Sequence, residues 1–354
     1  MASSATNKCP SCGAYLEYQP GQSVMRCPYC GSDFRITDIQ QEKDTAAQPT
    51  PQTEVDETAA ETVPGDGYME YHCQNCGAEV VTGPTTAATR CYFCHSPVTL
   101  TDRLSGEFKP NQVVPFALDK QGAEQAFQKW IRSKHFVDRR FLSEDQLTMF
   151  SGVYYPYWLG SVRGTTTFDG TGTKVDTSVS GSRMTTITSY YNVHREAENH
   201  FTGLVRKALQ RVDKRMADGI QPYRMNEAKG YNPGYLSGFM AEMRDVEQEA
   251  ARSDMLENCR SRAENMIREK RGLNTLKGTA HFTPGQVYMH YALMPAWILT
   301  YKSEREKPYY FMMNGQTGKI FGRLPIKQSK LLAVSAILGG IVAALLCVGG
   351  AMLW

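Results

Sequence analysis

Three observations predict that this sequence of 354 residues is a multidomain protein. Eight of its ten cysteines fall into four Cys-x-x-Cys pairs near the N-terminus. Helical and strand-like patterns then alternate along most of the chain, and a run without charged side chains ends it. Together they predict a multidomain fold with two small zinc ribbons, an α+β domain with a mostly antiparallel sheet and one long helix, and a single C-terminal transmembrane helix.

Composition places the chain among ordinary globular proteins. It is 41% hydrophobic and 21% charged, and its net charge of +3 is too small to imply a polyanion as partner. Met1–Lys8 shows no secretory signal pattern, so the bulk of the protein is expected in the cytoplasm. In a reducing compartment, paired cysteines indicate metal ligands rather than disulfides.

The cysteine pairs form an internal repeat. Each unit has a Cys-x2-Cys knuckle, 14 intervening residues and a second knuckle, and the units align at an offset of 64. Four thiolates suit tetrahedral Zn²⁺, and a ribbon of this size needs metal to fold. The predicted ligands of two structural Zn²⁺ ions are Cys9, Cys12, Cys27, Cys30, Cys73, Cys76, Cys91 and Cys94. Such sites are closed, so no catalysis is expected there.

Smaller features accompany the ribbons. Gly13, Gly31 and Gly77 each follow a knuckle, where a left-handed residue relieves strain. His72 and His95 flank ligand cysteines, either as spare ligands or as solvated or second-shell side chains. Ribbon 1 covers 1–37 and ribbon 2 covers 68–104. The acidic segment 38–67 between them is predicted to be disordered, so the ribbons are expected to move independently.

The α+β domain is predicted over 105–326. Apolar periodicity, the N-cap residue Asp119 and the turn residues Asn314-Gly315 define its elements. They are an extended stretch at Gln112–Leu118, a helix to Lys134, strands within Gly152–Val193, a long helix at Tyr235–Arg271, and strands at Val287–Tyr301, Tyr309–Met313 and Lys319–Leu324.

The C-terminal run Leu331–Trp354 contains no ionic side chain. As a helix it would extend about 36 Å, against about 30 Å for the bilayer's hydrocarbon core. Arg323, Lys327 and Lys330 precede it and indicate a cytoplasmic side. The sequence therefore predicts an anchor over 327–354, lipid contact through 331–354, and a single-pass protein of the cell membrane with its N-terminal bulk in the cytoplasm.

Other motifs are weaker. His194 and His200, with Glu196 and Glu198 between them, lack the helical spacing of a metal pair and are attributed to chance. Two glycine-lysine runs, Phe168–Lys174 and Asn314–Lys319, fail the phosphate-loop pattern. No catalytic residue, small-molecule substrate or further cofactor is indicated.

Two surfaces leave alternatives open. A basic cluster is either a solvated face or a contact for lipid headgroups or nucleic acid. It comprises Arg206, Lys207, Arg211, Lys214 and Arg215. The aromatic stretch Tyr154–Trp158 is either core or a base-stacking platform, and it resembles Leu293–Trp297, with which it is expected to pair or pack.

Nearly the whole chain resembles the bacterial membrane-anchored TFIIB-type zinc-ribbon-containing proteins. The matching motifs are Thr86–Thr89, Arg103–Pro110, Gly152–Trp158, Leu293–Trp297, Asn314–Lys319 and Leu324-Pro325. Members are sometimes labelled as relatives of a replication-restart helicase, although this sequence lacks a phosphate loop. Some relatives are encoded beside flotillin-like (SPFH) and phage-shock-type proteins, so the resemblance implies a membrane platform that recruits such partners.

Two functions follow as expectations. The first is a tail-anchored zinc-ribbon scaffold or sensor that recruits protein partners and is not an enzyme. The alternative is a nucleic-acid-binding zinc-ribbon protein of transcription or replication. It is less favoured because ribbon residues 8–35 and 68–104 carry net charges of only +1 and −1.

Overall fold

A computed structural model gives the fold and describes residues 4–353, with gaps at 6, 39–68, 74, 92, 135–149, 302–308 and 323–327. The acidic linker predicted over 38–67 lies outside the described residues except for Asp38, so its disorder stays a prediction. Within the described residues the α-helices of six or more residues are α1 (Lys120–Arg132), α2 (Lys214–Gly219), α3 (Gln248–Ile267) and α4 (Gln328–Leu353). Short 3-10 helices lie at Thr101–Leu104, Gly106–Phe108, Met225–Glu227 and Pro233–Leu236.

The described strands range from two to thirty residues in length. In chain order they are β1 (Ser4–Ala5), β2 (Glu17–Gln19), β3 (Val24–Arg26), β4 (Asp33–Arg35), β5 (Met69–His72), β6 (Glu79–Thr82), β7 (Thr86–Arg90), β8 (Pro97–Leu100), β9 (Gln112–Val113), β10 (Ser151–Ser180), β11 (Arg183–Lys207), β12 (Lys229–Gly230), β13 (Met240–Glu242), β14 (Thr275–Tyr301), β15 (Tyr309–Asn314) and β16 (Ile320–Gly322).

Three long strands form the centre of the molecule. β10 lies between β11 and β14 and is antiparallel to both. Glycine inside these strands permits close backbone approach: a Cβ at Gly170 would lie 2.2 Å from the carbonyl oxygen of Lys277 on β14. The strands predicted within Gly152–Val193 therefore belong to only two long strands, β10 and β11, which continue through their glycines. Beyond Thr173 and Thr275 the β10–β11 hairpin continues without β14.

The large sheet is mixed and includes strands of both N-terminal units. Eleven strands join in it, with β1, β8 and β7 leading through β13 to β10, β14, β15 and β16. β13 runs parallel to β10, and β9 runs parallel to β14, whereas the other pairs are antiparallel. The predicted fold class is therefore wrong in separating the second ribbon from the α+β domain, because the two share one sheet.

The core lies where the long strands meet α1, α3 and the first ribbon. α1 begins as predicted, because the Asp119 carboxylate accepts the N–H of Gly122 at 2.7 Å. It buries Ala123, Phe127 and Ile131 against the sheet. The last hairpin turns at Asn314 as predicted, and the Asn314 side-chain oxygen accepts backbone N–H groups within that turn.

The predicted long helix is shorter than expected. Residues 233–242 form a 3-10 turn and strand β13, and α3 begins at Gln248. Leu236 and Phe239 repeat at helical spacing because both are buried in the core, not because they share a helix face. α3 itself buries Met255, Cys259 and Ala263.

The predicted transmembrane helix is a second correction. Among the described residues, no helix is both long and apolar enough to cross a bilayer. The transmembrane helix predicted for the anchor over 327–354 and the predicted cell-membrane localisation are therefore wrong, whereas the lipid contact through 331–354 stays a prediction.

Candidate metal centre

The structure brings the eight predicted cysteines into two groups of four. In each group the four sulfur atoms lie within 4.8 Å of one another. In ribbon 1 the Sγ atoms of Cys9 and Cys30 are 3.6 Å apart, and those of Cys12 and Cys27 are 3.5 Å apart. In ribbon 2 the corresponding pairs, Cys73 with Cys94 and Cys76 with Cys91, are both 3.7 Å apart.

These separations fit a tetrahedral metal ion. Four sulfurs at about 2.3 Å from Zn²⁺ would be about 3.8 Å from one another. A disulfide would require about 2.05 Å between sulfurs, so none of these pairs is bonded. The donor set and the geometry therefore suit Zn²⁺, with each knuckle supplying two sulfurs and no coordination position left for a substrate.

One backbone pattern builds all four knuckles. The carbonyl of the first cysteine accepts the N–H of the residue after the second cysteine, as Gly13 donates to Cys9 at 2.8 Å. That residue has a positive φ: +74° at Gly13, Gly31 and Gly77, as the sequence predicted. The fourth knuckle places His95 there instead, at φ +57°. His95 is thus recruited for its backbone position, and its side chain is exposed.

Burial within each knuckle is asymmetric. The first cysteine of every knuckle is buried, and those residues are Cys9, Cys27, Cys73 and Cys91. The second is exposed at Cys12, Cys30 and Cys76, and half-buried at Cys94. Each site is consequently anchored in the ribbon on one side and faces solvent with its other two sulfurs.

Two serines that the sequence analysis missed lie against exposed ligands. The Ser32 side chain is 3.3 Å from the sulfur of Cys30, and its hydrogen bonding lowers the pKa of that thiol to about 6. Ser96 lies 2.9 Å from the sulfur of Cys94. Desolvation raises the pKa of the Cys94 thiol, but hydrogen bonds from Ser96 and Asn75 outweigh desolvation and lower this pKa to about 5. The offset of 64 that relates Ser32 to Ser96 was the signal available in the sequence.

The opposite shift affects one cysteine in each first knuckle. The backbone of Ala14 lowers the pKa of Cys12, yet desolvation and the neighbouring sulfurs raise it to about 12. The pKa of Cys76 is raised to about 12 in the same way against the backbone of Ala78. Repulsion between neighbouring thiolates therefore prevents all four sulfurs from ionising in the absence of metal. A bound divalent cation would offset this repulsion.

Ribbon 1 is docked on the rest of the molecule. The backbone N–H of Tyr18 donates to the carbonyl of Ser237 at 3.0 Å, and the Ser237 hydroxyl donates to the carbonyl of Leu16. Arg90 of ribbon 2 forms an ion pair with Glu17 at 3.0 Å. The two ribbons are thus held in one body, which differs from the independent movement expected from the sequence.

Ribbon 2 is attached more extensively. β7 pairs with β13 and so joins the large sheet. The buried Arg103 donates to the hydroxyl of Tyr71 at 2.9 Å and to the carbonyl of Gly83 at 2.6 Å. These contacts fix the hairpin loop that precedes the second knuckle of this ribbon.

The other motifs have structural roles. The Phe168–Lys174 run lies inside β10, so it forms no phosphate loop. Strand alternation puts His194, Glu196, Glu198 and His200 on one face of β11. His194 contacts Asp169 at 2.6 Å, which raises the pKa of this histidine through hydrogen bonding and charge. Among the described residues, however, three or more potential metal ligands converge only in the two cysteine groups.

The basic cluster and the aromatic stretch, for which the sequence left alternatives open, make extensive contacts within the chain. Most of the basic cluster is engaged: Arg206 pairs with Asp254, Arg211 pairs with Glu242, and Lys207 donates to the backbone carbonyls of residues 209, 210 and 212. In the aromatic stretch, Tyr154, Tyr157 and Trp158 are buried. That stretch pairs with the Leu293–Trp297 region, as expected.

Comparison with protein-family models found no match, and comparison with solved structures found none either. Among curated proteins, the chain is similar to the uncharacterized protein YdjG of Bacillus subtilis (strain 168). The two are 30% identical over 346 residues, which cover 96% of this chain and 95% of YdjG.

Proposed function

We propose that this chain, which belongs to the family of the Bacillus subtilis protein YdjG, is a zinc-stapled scaffold that recruits protein partners and acts by binding rather than by catalysis. The observation that carries the proposal is the pair of four-cysteine groups. A metal with four thiolate ligands has no open position for water or substrate, so its work is to hold a surface in shape.

The attachment of both ribbons supports this role. Ribbons that are fixed to a large sheet present their exposed knuckles at defined positions, and a preorganised surface loses less entropy when it binds a partner. The ion pair between Glu17 and Arg90 and the joining of β7 to β13 both contribute to that preorganisation. The resemblance to TFIIB-type zinc-ribbon-containing proteins agrees with a binding role.

Nucleic acid is the less favoured partner. Binding to phosphates depends on several available Lys or Arg side chains. In the basic cluster, Arg206 and Arg211 are paired with carboxylates and the Lys207 ammonium is held by backbone carbonyls. The aromatic stretch Tyr154–Trp158, which would have offered a stacking platform, contributes instead to the core.

The test is crosslinking of the full-length chain in intact cells, followed by identification of the crosslinked protein and reconstitution of the complex from purified components. We expect a defined complex that is lost in the variant Cys27→Ser with Cys91→Ser, because each substitution removes one metal ligand. The matched control is Cys259→Ser, a buried cysteine on α3 outside both metal groups.

Two results would contradict the proposal. One is a reconstituted complex that forms equally well with the metal-free chain. The other is a crosslinked fraction that contains nucleic acid and no specific protein.

A further inference from the structure

The two ribbons expose an aromatic side chain at the same position. Tyr29 is 87% exposed and Phe93 is 71% exposed. Each lies immediately before the last cysteine of its ribbon, and the two positions are related by the offset of 64 that relates the repeats. By contrast, Tyr18 and Tyr71, which lie on strands of the two ribbons, are buried.

The first knuckles do not share this feature. Their inner residues are Pro10-Ser11 and Gln74-Asn75, whereas the second knuckles contain Tyr29 and Phe93. Each ribbon therefore carries one large exposed ring next to a metal-ligand cysteine, and neither ring contributes to a hydrophobic core. Exposed aromatic side chains in a rigid setting are typical of binding hot spots.

The second knuckles of the two ribbons are linked through Arg90. Arg90, which directly precedes Cys91, donates both to Glu17 of ribbon 1 and, at 3.3 Å, to the carbonyl of His95 in its own knuckle. Glu17 lies opposite Arg26 in the β2–β3 pair, and Arg26 directly precedes Cys27. The Arg90–Glu17 ion pair thus links the strand ends from which both second knuckles start.

Metal binding makes this surface negative. Four thiolates and one Zn²⁺ carry a net charge of about −2. Residues 8–35 then change from +1 to −1, and residues 68–104 change from −1 to −3. The arginines that directly precede Cys27 and Cys91 do not offset this charge, because Arg26 is paired with Asp33 and Arg90 is paired with Glu17.

We propose that the two second knuckles, Cys27–Cys30 and Cys91–Cys94, form a docking surface for an extended basic segment of a partner protein. Lys or Arg side chains of that segment stack on Tyr29 and Phe93 and face the exposed thiolates. Aromatic faces attract cations, and a negative metal-thiolate site beside each ring strengthens the attraction. The same charge repels the phosphates of a nucleic acid. The inference rests on the proposed scaffold function and specifies its contact surface.

The test uses the zinc-loaded full-length chain and fluorescence anisotropy. The probe is a short fluorescein-labelled peptide that alternates arginine with glycine and serine. A glutamate version of the peptide and a single-stranded oligo(dT) serve as comparison probes. The variants are Tyr29→Ala, Phe93→Ala and the double substitution, with zinc content measured for each to show that the ribbons remain intact.

We expect the arginine peptide to bind and the glutamate peptide and oligo(dT) not to bind. Each single alanine variant should weaken binding about 3-fold and the double variant about 10-fold, which corresponds to the usual strength of exposed cation–π contacts. Tyr29→Phe, which keeps the ring, should retain affinity. So should Tyr288→Ala, which removes an aromatic side chain that is 60% exposed elsewhere.

The proposal is overturned if the arginine peptide fails to bind, or if the double variant binds it as well as the parent chain. Binding of oligo(dT) that the double variant loses would overturn it in favour of a nucleic-acid surface. The scaffold function is judged separately with the reconstituted partner. A complex that survives Tyr29→Ala with Phe93→Ala but is lost in Cys27→Ser with Cys91→Ser leaves that function standing and rejects this docking surface.

Discussion

Replacement of Arg90 by alanine should loosen ribbon 1 from the rest of the molecule. The Arg90 guanidinium donates to Glu17 of ribbon 1 at 3.0 Å and to the carbonyl of Gly238 at 2.9 Å. It therefore joins ribbon 1, ribbon 2 and the segment before β13 at one point. Its replacement therefore tests whether the ribbons form one body with the sheet.

The magnitude follows from the exposure of these groups. The Arg90 and Glu17 side chains are 42% and 26% exposed, so their ion pair contributes up to about 1 kcal/mol. The hydrogen bond to Gly238 contributes about 1 kcal/mol. Loss of both costs about 2 kcal/mol, which changes the equilibrium between docked and undocked ribbon about 30-fold.

Hydrogen exchange of the backbone N–H of Tyr18 measures this equilibrium, because that group donates to Ser237 across the contact. We expect Arg90→Ala to reduce its protection about 30-fold. Arg26→Ala is the matched control, since Arg26 is the repeat equivalent of Arg90 and its pair with Asp33 is exposed on both sides. Its effect should be about 2-fold. Equal effects of the two substitutions would refute the docking contact.

Three further predictions concern the second ribbon, the bound metal and the titration of two histidines. His95→Gly should raise the free energy of unfolding of ribbon 2 by about 0.5 kcal/mol. Glycine relieves the strain of the left-handed backbone at this position, and this gain exceeds the cost of the more flexible unfolded chain; an unchanged or lower melting temperature would contradict the prediction. Chelation should remove both metals and abolish protection of Tyr18 in exchange experiments while the β10–β14 pairing persists; loss of protection throughout the sheet would show that the sheet depends on metal. NMR titration should give His194 a pKa above 6.5 because of Asp169, and His290 a pKa below 6.5 because of burial. The stabilisation from the His194 pair is then present below about pH 6.5 and is lost as pH rises through the raised pKa; Asp169→Asn should remove the His194 shift and leave His290 unchanged.

The metal sites could be predicted from the sequence because chelation is local. Two cysteines in one knuckle are brought together by a turn of four residues, and the repeat supplies the second knuckle. The left-handed glycines at Gly13, Gly31 and Gly77 follow from the same turn. Asp119 and Asn314 were predictable for the same reason, since caps and turns act over three or four residues.

The remaining errors arise from contacts between distant segments. The ion pair of Glu17 with Arg90 and the bonds of Ser237 to ribbon 1 join residues far apart in the chain, and no local pattern indicates them. The close approach of Gly170 to Lys277 depends on β14, which lies far along the chain, so no local pattern showed that β10 continues through this glycine. Leu236 and Phe239 repeat at helical spacing but are buried for tertiary reasons.

X-ray absorption spectroscopy at the zinc edge, combined with metal analysis of the purified full-length chain, tests the central claim most directly. The eight cysteines predict two zinc ions per chain, each with four sulfur neighbours at about 2.3 Å. A single ion per chain, or nitrogen or oxygen atoms in the first coordination sphere, would contradict the account of two closed four-thiolate centres.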